Sequence, residues 1–235
     1  MNQQYTLEDF KQIIKMLRSE NGCAWDKKQT HESLKPCITE EAAELVSSIR
    51  IYDKTGNAEN MREELGDILL QVMMHSQIAE EEGLFTLDDV IQDVSEKMVR
   101  RHPHVFGTVE TDKVEEILDN WEEIKKKEKE GKDWAESPLR EIPIELPALV
   151  RAVKVLKKVD RLYCPGNDFY ENVLELEKQI NKLKEYQPNM EDERLKETIG
   201  SILINISDIC RQFRVSQEQI LTDRIEDLID KYEPT

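Results

Sequence analysis

Five carboxylates at two places in the chain have the types and spacing to hold a hard cation. Glu40, Glu41 and Glu44 lie in the stretch Pro36-Cys37-Ile38-Thr39-Glu40-Glu41-Ala42-Ala43-Glu44-Leu45-Val46. Glu64 and Asp67 follow in Met61-Arg62-Glu63-Glu64-Leu65-Gly66-Asp67-Ile68-Leu69-Leu70. On a helix each residue advances by about 100°, so the first three acids share an arc of roughly 100° and the second two also share a face. Ile38, Ala42, Leu45, Val46 and Ile49 on one segment, with Leu65, Ile68, Leu69 and Val72 on the other, form apolar stripes beside those acids. Acids at the edge of a helix–helix seam repel one another and lose hydration, which a divalent cation or raised pKa values must offset.

The plainer reading is a solvated acidic face. Asp and Glu number 50 in 235 residues, and Glu115-Glu116-Ile117-Leu118-Asp119 repeats a similar pattern elsewhere. What favours the cation is the second acidic pair one hairpin away, with Gly66 between its acids, where a small residue permits close helix approach.

Two further groups suit an anionic ligand. The loop Cys23-Ala24-Trp25-Asp26-Lys27-Lys28-Gln29-Thr30-His31 carries an aromatic ring, two ammonium groups and an imidazole. Lys97, Arg100 and Arg101, at i, i+3 and i+4, make a basic face before His102-Pro103-His104 and Gly107, which look like a built loop. Cations at a helix C-terminus also suit its dipole, so phosphate contact competes with a purely structural reading.

The elements that must position these residues are helices. Glycine and proline number only eight each, and charged residues, rich in Glu and Lys, make up 35% of the chain, which favours an all-α fold. Helices are expected over about 7–20, 32–52 (with Pro36 in the first turn), a stretch of about 25 residues ending at Gly83, a fourth from Thr86 to Arg101, and 112–130. Asp133 to Pro147 reads as a linker, and four more helical stretches follow near 148–161, 169–186, 191–213 and 216–232.

A formal net charge of −17 argues against nucleic acid as a partner, though not against a small polyanion that brings its own magnesium. No run of apolar residues is long enough to span a membrane, and Met1-Asn2-Gln3-Gln4-Tyr5 lacks the layout of a signal peptide, so a cytoplasmic protein is expected. Cys23, Cys37, Cys164 and Cys210 show no C-x-x-C pairing and read as reduced thiols.

The later helices echo the earlier ones. Leu195-Lys196-Glu197-Thr198-Ile199-Gly200-Ser201-Ile202-Leu203 matches the stretch around Gly66, with Thr198 where Glu64 stands and Ser201 where Asp67 stands. Glu177-Lys178-Gln179-Ile180-Asn181 replaces Glu40-Glu41-Ala42-Ala43-Glu44. An internal duplication with a metal-free second copy is expected, organised as residues 1–131, a linker at 132–147, and 148–235.

The motifs Cys-Ala-Trp-Asp-Lys-Lys-Gln-Thr-His-Glu-Ser-Leu (23–34), Glu-Glu-Ala-Ala-Glu (40–44), Glu-Glu-Leu-Gly-Asp (63–67), Arg-Arg-His-Pro-His-Val-Phe (100–106) and Asn-Trp-Glu (120–122) together closely resemble the MazG nucleoside triphosphate pyrophosphohydrolases. The likeness is strong over about 6–130 and weak beyond. Ala24 departs from the usual proline, and the second half lacks the acidic motif that is active in some two-domain relatives. The resemblance implies tandem helical-bundle domains, a homodimeric four-helix-bundle core, and magnesium, with manganese as a substitute. It implies Glu41, Glu44, Glu64 and Asp67 as metal ligands, and Glu40 and Glu41 as catalytic. The substrate would be a nucleoside triphosphate, its phosphates met by Lys97, Arg100 and Arg101, with Lys27 and Lys28 in support, and its base stacked on Trp25 or His31. A di-iron oxidase would need Glu-x-x-His pairs, but Ser47 and Leu70 stand at those positions. A non-catalytic helical protein that binds nucleotides is the remaining alternative.

Overall fold

The computed structural model describes residues 4–109, 111–129, 137–186 and 193–233. Gly131, the start of the expected linker at 132–136, and the expected break at Gln187-Pro188-Asn189 lie outside them. Among the described residues all regular structure is helical, and no helix is long and apolar enough to cross a membrane. The chain divides into two compact units, Met1–Glu128 and Lys129–Thr235.

In the first unit, α1 (Leu7–Arg18) starts at a capping box in which the Thr6 hydroxyl accepts from the Asp9 N–H and the Asp9 carboxylate accepts from the Thr6 N–H. A 3-10 turn at Asp26–Lys28 leads to α2 (Lys35–Thr55), which carries Pro36 in its first turn, where no N–H partner is lost. Gly56, at φ 72°, caps α2 in the left-handed conformation that a side chain would disfavour. The third helix, α3 (Glu59–Glu81), stops before Gly83 at φ 70°. A second capping box, Thr86 with Asp89, opens α4 (Leu87–Arg101). Where a loop is expected, Pro103–Phe106 forms a single helical turn, α5, closed by the Gly107 N–H on the Pro103 carbonyl. The unit ends with α6 (Val114–Lys129).

The core is built from Ile14, Leu34, Met73, Met74, Ile78 and Leu87, with Phe10, Leu17, Cys37 and Leu70 packed against it. It therefore gathers around the second half of α3. The acid-bearing halves of α2 and α3 pack as a pair but bury little apolar surface, and this corrects two expectations. Val46, Ile49, Leu65, Leu69 and Val72 stay exposed in the single chain instead of flanking the acids in a core. A Cβ added at Gly66 would meet nothing within 4 Å, so the glycine permits no close helix approach within the chain.

The second unit holds α7 (Ala148–Leu162), α8 (Phe169–Leu183), α9 (Glu193–Gln212) and α10 (Gln217–Tyr232), with α8 packed on α9 and α7 on α9. Aligned through Gly66 and Gly200, buried Glu64 falls on buried Thr198, and exposed Leu65, Leu69 and Val72 fall on exposed Ile199, Leu203 and Ile206. The α8–α9 seam is polar but supplies its own partners. The Asn172 amide donates to Asp208 at 2.6 Å, Arg211 donates to Asp208 at 2.6 Å, and the Asn205 amide donates to Gln179 at 3.0 Å.

Candidate active site

The packed pair α2 and α3 brings Glu41, Glu64 and Asp67 together, with one carboxylate oxygen from each lying within 4.8 Å of the others. Among the described residues this is the one group of three such side chains close enough to share an ion. Glu64 is buried, and the Asn60 amide, one turn earlier on α3, donates to it at 2.7 Å. That donor fixes one Glu64 oxygen, a role no spacing rule in the sequence had singled out. Gln71, one turn beyond Asp67, is also buried, and its carbonyl oxygen has no partner among the described residues.

Like charge accumulates here. Burial, then repulsion from Asp67, Glu44, Glu40 and Glu64, raises the Glu41 carboxyl above its ordinary range. Glu44 stands outside the close triple but against it. Its carboxyl is raised by lost hydration, by repulsion from Glu64, Glu40 and Asp67, and by a hydrogen bond to Glu64. Glu40 is exposed on the solvent side of the same helix. The donor set is all oxygen, with neither thiolate nor imidazole, which fits a hard divalent cation better than zinc, copper or iron.

The other expected residues lie elsewhere. The loop after α1 is tied down by Arg18, whose guanidinium donates to the carbonyls of Asp26 at 2.6 Å and Gln29 at 3.2 Å and pairs with Glu81 at 2.7 Å. Glu81 ends α3, whereas Glu64 and Asp67 lie near its start, so the loop is anchored at the opposite end of the helix from the acids. Trp25 is 60% exposed, Lys28 is exposed, and the Lys27 ammonium donates to the Glu20 carbonyl at 2.7 Å. His31 stacks on His75, with ring centroids 5.0 Å apart and Nδ1 atoms 2.7 Å apart. His75 is itself about 12 Å along the α3 axis from Asp67 at about 1.5 Å per residue.

At the end of α4, Arg100 and Arg101 converge on a single carboxylate, Glu128 of α6. Lys97 is half-buried on the same helix. Trp121 of α6 lies beside them, with the Arg101 guanidinium carbon 5.4 Å from its ring centroid and the His102 ring edge-on to it at 4.9 Å. Asn-Trp-Glu (120–122) was visible as a motif, but its ring's place against Arg101 was not.

Residues 29–106 match the model of the MazG nucleotide pyrophosphohydrolase domain. The chain is similar to the nucleoside triphosphate pyrophosphohydrolase/pyrophosphatase MazG of Thermotoga maritima, at 38% identity over 96% of this chain and 83% of that protein. It is also similar to the nucleoside triphosphate pyrophosphohydrolase of Escherichia coli K12, at 34% identity over 88% of this chain and 78% of that one. The uncharacterized protein YabN of Bacillus subtilis is 53% identical over 63% of this chain, a match that spans only 29% of YabN.

Proposed function

The chain belongs to the MazG nucleotide pyrophosphohydrolase family, and from that premise we propose that it hydrolyses nucleoside triphosphates to nucleoside monophosphates and pyrophosphate. Glu41, Glu44, Glu64 and Asp67 would hold magnesium, or manganese in its place. The convergence of Glu41, Glu64 and Asp67 from two helices is the observation that carries this reading. When bound, the cation neutralises charge on the reacting phosphates and helps to orient the attacking water. Glu40, exposed beside the cluster, would activate the water or support the metal-holding carboxylates, and Glu41 would be one of the residues that hold the cation. Lys97, Arg100 and Arg101 offset the charge of the departing pyrophosphate. Lys27 and Lys28 are looser candidates for the same task, and the exposed Trp25 or His31 would stack on the base.

The exposed stripe of Val46, Ile49, Leu65, Leu69 and Val72 supports a homodimer in which two α2–α3 pairs close a four-helix bundle. The second unit is read as a degenerate copy, with domains at 1–131 and 148–235 joined by 132–147. Thr198 and Ser201 stand in it at the register of Glu64 and Asp67, so it would serve packing and dimer support. Removal of unwanted triphosphates from the cytoplasmic nucleotide pool is the matching role. Pyrophosphate release over canonical and modified triphosphates, with and without magnesium, tests this reading. Metal-dependent release supports it, and nucleotide binding with no turnover on any triphosphate would favour a regulatory binder.

A further inference from the structure

We propose that Glu128 is a positioning residue that gathers Arg100 and Arg101 into one anion-binding unit; this rests on the reading above that the two arginines receive phosphate. Both arginines approach Glu128 by the same edge. Arg101 donates from Nε at 3.1 Å and from Nη2 at 2.5 Å, and Arg100 donates from Nε at 2.8 Å and pairs through Nη2 at 2.7 Å. Each guanidinium thus commits its Nε–Nη2 edge to the carboxylate and, among the described residues, leaves its Nη1 edge for another acceptor. The face of Arg101 is covered as well, by Trp121. Trp121 is in turn met by His102, whose Nδ1 lies 2.6 Å from the Met98 carbonyl at the end of α4.

Charge makes the carboxylate necessary to this arrangement. Two adjacent guanidinium groups repel, and Arg101, at 17% side-chain exposure, is too buried to be stabilised by water alone. Glu128, at 14% exposure, offsets that repulsion, and two cations against one anion leave a net charge of +1 to face a phosphate. The carboxylate stays ionised at any working pH, because hydrogen bonds from Arg101 and, after burial's opposing effect, from Arg100 hold its pKa down to about 2. The residue links α4 to α6 across the sequence, so the basic run on α4 is organised by a residue that its own spacing does not reveal.

The test uses the full chain and inorganic tripolyphosphate as probe, with binding followed by calorimetry in Glu128→Ala, Glu128→Gln, Glu128→Asp and Arg101→Ala, alongside manganese affinity and KM for a triphosphate. Glu128→Ala and Glu128→Gln should each weaken tripolyphosphate about tenfold and raise KM, as expected for losing a charge-assisted pair. Glu128→Asp should recover part of the loss, and manganese affinity should not move, which a general loss of fold would not allow. Net charge alone argues the other way, since deleting an anion should strengthen binding of a polyanion. Arg101→Ala weakened while Glu128→Ala and Glu128→Gln bind as well as or better than wild type would overturn the positioning role and mark Glu128 as a competitor for the anion. If Arg101→Ala binds tripolyphosphate like wild type, the phosphate reading of the arginines fails and the role of Glu128 fails with it.

Discussion

Glu41 and Asp67 stand on different helices, yet their carboxylate oxygens lie within 4.8 Å of each other, with Glu64 at the same spacing. The groups that perturb Glu41 are its burial and four other carboxylates, so folding concentrates like charge on the α2–α3 pair. A bound cation that prefers oxygen would turn this repulsion into attraction.

Asp67→Ala should cut magnesium-dependent triphosphate hydrolysis by about 100-fold or more, because several kcal/mol of charge stabilisation go with the cation. Without metal the variant should melt no earlier than wild type, since one repelling charge is gone. Steady-state rates and thermal melts in chelator check both. Full turnover by Asp67→Ala would show that the second unit, or another site, does the work.

Acidification should help the apo protein at this site. The Glu41 and Glu44 carboxyls are raised above 4.5, so between that value and their folded pKa values the folded chain holds protons that the unfolded chain has released. The destabilisation is therefore absent at low pH, grows as pH rises through the folded pKa values, and is complete above them. Comparing melts of wild type and Glu41→Gln across pH 5 to 8 isolates the effect. The advantage of Glu41→Gln should be largest at the alkaline end and vanish when magnesium is added.

Arg101→Ala should lower triphosphate affinity about tenfold at low salt and by less at high salt, because the lost attraction is screened. If Arg101 serves only the helix end, the change is confined to roughly 0.3–1 kcal/mol of stability. Binding isotherms at two ionic strengths separate the outcomes.

His75 should give pH dependence of the opposite sign. Burial first, and then the neighbouring His31, push the His75 pKa below 6.5, while the unfolded chain titrates near its ordinary value. Its contribution is fully present above the unfolded pKa and is lost as pH falls through it toward the folded one. His75→Gln should flatten the loss of stability between pH 7 and 5.5, by at most about 1.4 kcal/mol per pH unit. An unchanged slope in denaturant melts would place the dependence elsewhere.

Much of this was legible in the sequence because it is local. Thr6 and Thr86 announce their capping boxes three residues ahead of an acid, Pro36 fits a first turn, and Gly83 follows the end of α3. The acids were legible because helical spacing alone puts Glu41 and Glu44 on one face. Spacing gives a face but not what covers it, so the apolar stripe that holds Leu65 and Val46 is exposed in the single chain, and Gly66, expected as a point of close helix approach, is open. Pairings across distant segments have no periodic signal either. Arg18 with Glu81 and Arg101 with Glu128 bring together residues that only the fold makes neighbours.

The most direct measurement is a manganese titration followed by electron paramagnetic resonance of the free ion, run on wild type, Glu41→Gln and Asp67→Asn without nucleotide. Wild type should deplete the free signal at a saturable site, and both variants should lose that site while keeping their helical content. Equal manganese uptake by all three proteins would contradict the assignment of the cation to the carboxylates of α2 and α3.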